Sequence, residues 1–67
     1  MRFAKLVNKL GIEVRVNPMA VALVCADSDG WVAVWFAGGA ADGPLPLKVV
    51  GTLGGVTRNL QRAANLD

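Results

Sequence analysis

Residues 12 to 16, IEVRV, alternate Ile12, Val14 and Val16 with Glu13 and Arg15, the period of two that places one face of a strand in a core and the other in water. Pro18 cannot donate to a ladder, so a bend or bulge is predicted at Asn17-Pro18. Two extended apolar runs follow, AVALVCA (20–26) and WVAVWFA (31–37), separated by DSDG. Asp-Gly between such runs signals a hairpin, because Gly accepts positive φ and Asp side chains bond nearby backbone N–H groups. Alternation puts Trp31, Ala33, Trp35 and Ala37 on one face of the second strand and Val32, Val34 and Phe36 on the other. The first strand divides into Val21, Leu23 and Cys25 against Ala20, Ala22, Val24 and Ala26. Neither face is polar. One helix covers one face of a sheet, so the second face needs another layer: the chain itself curled into a partial barrel, or another subunit. Two indoles on one face favour the subunit, with Trp31, Ala33, Trp35, Val21 and Leu23 as the predicted interface. The alternative makes Trp31 and Trp35 ordinary barrel core.

Two readings compete for the first ten residues. Phe3, Leu6, Val7 and Leu10 share one helical face, with Arg2, Lys5 and Lys9 off it and Gly11 placed as a C-cap. RFAKLVN also reads as a short strand that NKLG turns into the next, although the local pattern leans to helix. Past the second hairpin strand, the loop GGAADGPLPL leads into PLKVV, a short edge strand in which Pro44 and Pro46 are tolerable where their missing donors face solvent. Thr52 then fits as the N-cap of a closing helix on which Leu53, Val56, Leu60, Ala63 and Ala64 return at helical spacing. Gly54 and Gly55 weaken its first turn by about 1 kcal/mol each relative to alanine, so the helix depends on docking. The predicted fold is a single α+β domain over residues 1–67. Its small twisted antiparallel sheet of 4–5 short strands, with a partial barrel as one form, is packed by one C-terminal helix.

Composition sharpens this picture. At 67 residues, the chain is close to the size below which domains need a supplement to their core. Cys25 is the only cysteine, which rules out an internal disulfide, and there is no histidine. Asp27, Asp29 and Asp42 lack ligand spacing, so no metal is expected. With 54% hydrophobic residues and a mean hydropathy of +0.45, self-association into a homo-oligomer is the ordinary remaining supplement. No run is long enough to span a membrane. MRFAKLVNKLG lacks the apolar stretch and cleavage site of a signal peptide, so the expected location is the cytoplasm of a cell or an infected host. The net charge of +2 comes from seven basic residues spread along the chain.

Chemistry-bearing motifs are sparse. Without histidine or tyrosine, and with one serine in a turn, the chain offers no acid–base pair or nucleophilic triad, and a non-enzyme is predicted. Cys25, with no base to activate it, reads as a small apolar residue. DSDG is not a calcium loop, since Cys25 and Phe36 stand where carboxylates would be required. GTLGGVTR presents backbone N–H groups at a helix start but lacks the spacing and lysine of a phosphate-binding loop, and no cofactor is predicted. Arg2, Lys5, Lys9 and Arg15 form a basic flank on the first hairpin. Arg2, Lys5, Arg15, Arg58 and Arg62 are therefore the candidate contacts to an anion or partner: a nucleic acid, a nucleotide or an acidic protein surface. No helix-turn-helix or aromatic RNA-binding motif is present.

From GIEVRVNPMAVALV to GWVAVWFAGG the order of motifs resembles the small FlbD-like (SwrD-like) proteins of bacteria and phages. Gly11, Val14, Val16, Asn17, Val21, Gly30, Val34, Gly38, Gly39, Val56 and Leu60 are the matching positions, and they cover most of the chain. The resemblance implies a strand at residues 2 to 8 and a small antiparallel sheet packed by one C-terminal helix. It brings no catalytic residues. The chain departs from the family pattern at TLGG, where acidic residues usually open the helix, and in its unusually apolar strand with two tryptophans.

Overall fold

The computed structural model describes residues 2–37 and 45–65. Among these residues five strands precede one α-helix: β1 (Ala4–Val7), β2 (Glu13–Val16), β3 (Val21–Ala26), β4 (Val32–Phe36), β5 (Leu47–Val49) and α1 (Leu53–Asn65). β1 and β2 form an antiparallel pair, β3, β4 and β5 a separate antiparallel sheet in that spatial order, and both pack against α1 without closing into a barrel.

The N-terminal segment is a strand, as the RFAKLVN reading and the resemblance imply, and not the helix on which Phe3, Leu6, Val7 and Leu10 would share a face. Ala4 and Leu6 are buried while Lys5 and Val7 face out, and Phe3 and Leu10 are exposed. Period two prevails because both edges of β1 find backbone partners. One edge pairs with β2. Along the other, the Asn59 side-chain amide donates to the Lys5 carbonyl at 3.0 Å, and just before the strand the Arg2 N–H donates to the Ala63 carbonyl at 2.9 Å. Further on, the Val50 N–H donates to the Val7 carbonyl at 2.8 Å and the Lys9 N–H to the Lys48 carbonyl at 3.0 Å. An isolated Asn8–Val49 bridge thus joins the two sheets. β5 is the edge strand of its sheet, as predicted, and the Asn8–Val49 bridge ties that edge to the first hairpin. Pro46 precedes the β5 ladder; Pro44, Gly38, Gly39 and Asp42 lie outside the described residues.

Local chemistry sets each turn. The Asn8 carboxamide oxygen accepts from the N–H groups of Leu10 at 3.0 Å and Ile12 at 2.9 Å, and Gly11 takes φ +83°. Asn17 accepts from the Met19 N–H at 3.0 Å and starts a 3-10 turn over Pro18–Ala20, so the chain bends at Asn17-Pro18 as predicted. In the second hairpin the Gly30 N–H donates to the Asp27 carbonyl at 3.1 Å with Gly30 at φ +87°, a turn that only glycine enters without strain.

A bulge changes which face Val21 occupies. The β3–β4 ladder steps from Val21 opposite Phe36 to Leu23 opposite Trp35, leaving Ala22 without a counterpart. The extra residue reverses the alternation, and Val21 packs on the core with Val24 and Phe36. Strict alternation from Cys25 back to Val21 therefore fails.

The core is made of small aliphatics from every layer: Ala4, Leu6 and Val16 of the first hairpin, Val32, Val34 and Val49 of the second sheet, and Val56, Leu60 and Ala63 of α1. Burying a valine or leucine side chain contributes about 1.5–3 kcal/mol, and Val34 and Val49 are wholly inaccessible. Thr52 caps α1 as predicted, its hydroxyl accepting from the Gly55 N–H at 3.0 Å. Leu53 is exposed and Ala64 half-buried, so the docked stripe is narrower than the sequence pattern.

Candidate functional site

The N-terminus of β1 and the last turns of α1 meet because Arg2 bonds through its backbone to Ala63. That juncture leaves an open cleft of about 510 Å³. Arg2, Lys5 and Arg15 line it from the hairpin and Arg62 from the helix, with Phe3 and Asn59 beside them and Ala4 and Ala63 at the base. Four of the five predicted contact residues thus converge on one place. Arg58, the fifth, is exposed on α1 and lies outside the cleft.

The electrostatics of this cleft are one-sided. Lys5 and Arg15 stand directly opposite each other in the β1–β2 ladder, a like-charge pairing that works against the hairpin. Glu13 approaches Arg15 at 3.5 Å, but both side chains are well exposed, and an ion pair in water offsets little. No carboxylate among the described residues lines the cleft. Three guanidinium groups suit planar, bidentate recognition of phosphate or carboxylate oxygens.

The remaining basic side chains are differently engaged. Lys48 pairs with Asp27, and the Lys9 ammonium sits 5.9 Å from the centre of the Trp31 ring, within cation–π range. Both contacts concern the face predicted to be wholly apolar. β5 sets Lys48 opposite Ala33, so this face carries charge, contrary to the sequence reading. Of the predicted interface, Trp31 and Trp35 are half-buried, Ala33 is buried and Leu23 is 55% exposed. Val21 leaves that face through the bulge.

Sequence reasoning missed Phe3 and Asn59 as cleft residues. The helical reading puts Phe3 on an apolar face, yet it is 59% exposed; its position between Arg2 and Lys5 is the usable signal. Asn59 gives no local signal, since it reaches the cleft only through its bond to Lys5. Among the described residues, no group of three or more cysteine, aspartate or glutamate residues could hold a metal ion, and no helix is long and apolar enough to cross a membrane. The chain matches no protein-family model, no curated protein and no solved structure.

Proposed function

We propose that this protein is a non-catalytic binding module that holds a phosphate-bearing ligand in the cleft between the first hairpin and the C-terminal helix. The observation that carries the reading is the convergence of Arg2, Lys5, Arg15 and Arg62 on one cleft, two of them held opposite each other in a ladder. A fold that keeps a like-charge pair at a cleft lowers its energy when an anion enters, and rule-breaking positions of this kind concentrate at functional sites. Titration with sodium tripolyphosphate and with a short oligonucleotide at low salt tests it. Arg15→Gln should weaken both, while Arg58→Gln, outside the cleft, should leave both close to wild type. Equal losses in the two variants, or no binding by either ligand, would refute the proposal.

A second reading concerns self-association as a homo-oligomer, or docking of a protein partner, through the outer face of β3 and β4. It is supported by Leu23, 55% exposed in register with half-buried Trp35. Light scattering across protein concentration tests it: a mass that stays monomeric would remove the self-association reading. The resemblance to FlbD-like proteins, which brings no catalytic residues, supports the non-catalytic part of this reading.

A further inference from the structure

We infer that the ligand of the basic cleft is single-stranded nucleic acid, with a phosphate among the cations and an unstacked base laid on the ring of Phe3. This rests on the phosphate-binding reading above. Four cations alone would accept any polyanion. Phe3 narrows the choice, because it lines the same cleft and is 59% exposed. Its ring adds little to the core, which is built from Ala4, Leu6 and aliphatics of the other layers.

The spacing suits one nucleotide unit. Phe3 precedes Lys5 by two residues, about 6.6 Å of extended chain, and Arg15 lies across the ladder from Lys5. An aromatic face beside guanidinium and ammonium groups is the combination that binds single strands, the cations following the backbone and the ring stacking a base. A duplex offers no free base face, and an acidic peptide would use the cations and leave the ring idle. The cleft, at about 510 Å³, has the size of a small-ligand site.

The experiment is fluorescence polarisation of the full chain with a labelled oligothymidylate at low salt. Unlabelled competitors are the same chain with abasic sugars, a duplex of equal length, poly-glutamate, and vesicles containing phosphatidylglycerol. The single strand should compete best, and the abasic chain should be weaker by about 5- to 150-fold, the range for stacking one base. Phe3→Leu, which keeps apolar bulk without a ring, should bind both chains equally, and Phe3→Tyr should restore the difference. Unchanged circular dichroism in the variants confirms that only the ring is being tested. If abasic and normal chains compete equally in the wild type, the base contact is wrong while phosphate binding stands. If duplex, poly-glutamate or vesicles compete as well as the single strand, the ligand class is wrong. If no phosphodiester binds at all, the phosphate reading itself falls.

Discussion

Lys5→Gln should make this protein more stable and a poorer binder at the same time. The pair it disrupts is fixed by register, Lys5 directly opposite Arg15, which sets the Cβ atoms about 5 Å apart. Two unit charges about 7 Å apart in water repel by about 0.6 kcal/mol, reduced to less than half of that at physiological salt, where the Debye length is about 8 Å. Arg2 and Arg62 line the same cleft and add smaller repulsions, while Glu13, diagonal to Lys5 in the ladder and 3.5 Å from Arg15, offsets part of them, leaving about 0.5 kcal/mol near 10 mM salt, where screening extends over about 30 Å. A domain of this size gains about 4–8 °C in Tm per kcal/mol. Glutamine, one atom shorter, stays unbranched and polar, so the main change is the loss of the charge. The assay is thermal unfolding of wild type and variant at 10 mM and 500 mM salt, paired with oligonucleotide titration. The Tm gain should be about 2–4 °C at low salt and close to nil at high salt. Binding should weaken, with the slope of log affinity against log salt shallower by about 0.7, one phosphate contact on a single strand. A Tm change that ignores salt, or a variant less stable than wild type at 10 mM, would refute the electrostatic reasoning.

The two helix glycines should respond differently to alanine. A Cβ on Gly54 meets nothing within 4 Å, so Gly54→Ala should raise stability by about 0.5–1 kcal/mol in urea unfolding. On Gly55 it would stand 3.0 Å from the Thr52 hydroxyl oxygen that caps the helix. Gly55→Ala therefore trades the propensity gain against a cap contributing about 1 kcal/mol and should be neutral or destabilising; identical gains at both sites would contradict the cap geometry. Asn8→Ala removes the acceptor of two turn N–H groups and should cost about 1 kcal/mol in an exposed turn, with faster amide exchange at Leu10 and Ile12 by NMR. Leu60→Ala, in the buried stripe of α1, should cost about 2–5 kcal/mol, enough to unfold much of a small domain by circular dichroism.

What was legible in the sequence was local. Asp27 to Gly30 announced its hairpin, Thr52 its cap, and Val14 and Val16 their inward face, because each signal sits within a few residues of the structure it dictates. The first strand was ambiguous for a physical reason: Leu6 fits a helical stripe and a strand equally, and the deciding partners, Asn59, Ala63 and Val50, lie far along the chain. The bulge at Ala22 leaves no mark in a run of apolar residues, so alternation alone sets Val21 on the wrong face. The charges near the indoles were invisible for the same reason, since Asp27 meets Lys48 only when β5 docks on β4. The cleft was half legible. Its cations could be named from the sequence, but their convergence depends on Arg62 returning to Arg2, near the other end of the described chain.

The seam at Asn8 and Val49 also bears on how the molecule opens. A lone two-stranded hairpin is marginal in water, and the β1–β2 hairpin is held by strand contacts to α1 and by this single bridge to the larger sheet. Any fluctuation that frees the hairpin must break the Val50-to-Val7 and Lys9-to-Lys48 bonds together and uncover Ala4, Leu6 and Val16. Partial unzipping thus exposes so much apolar surface that it approaches complete unfolding in cost. The amide protons of Lys9 and Val50, close to the surface though they are, should exchange with deuterium no faster than those of the central strand, reporting one cooperative unit instead of two sheets that breathe separately.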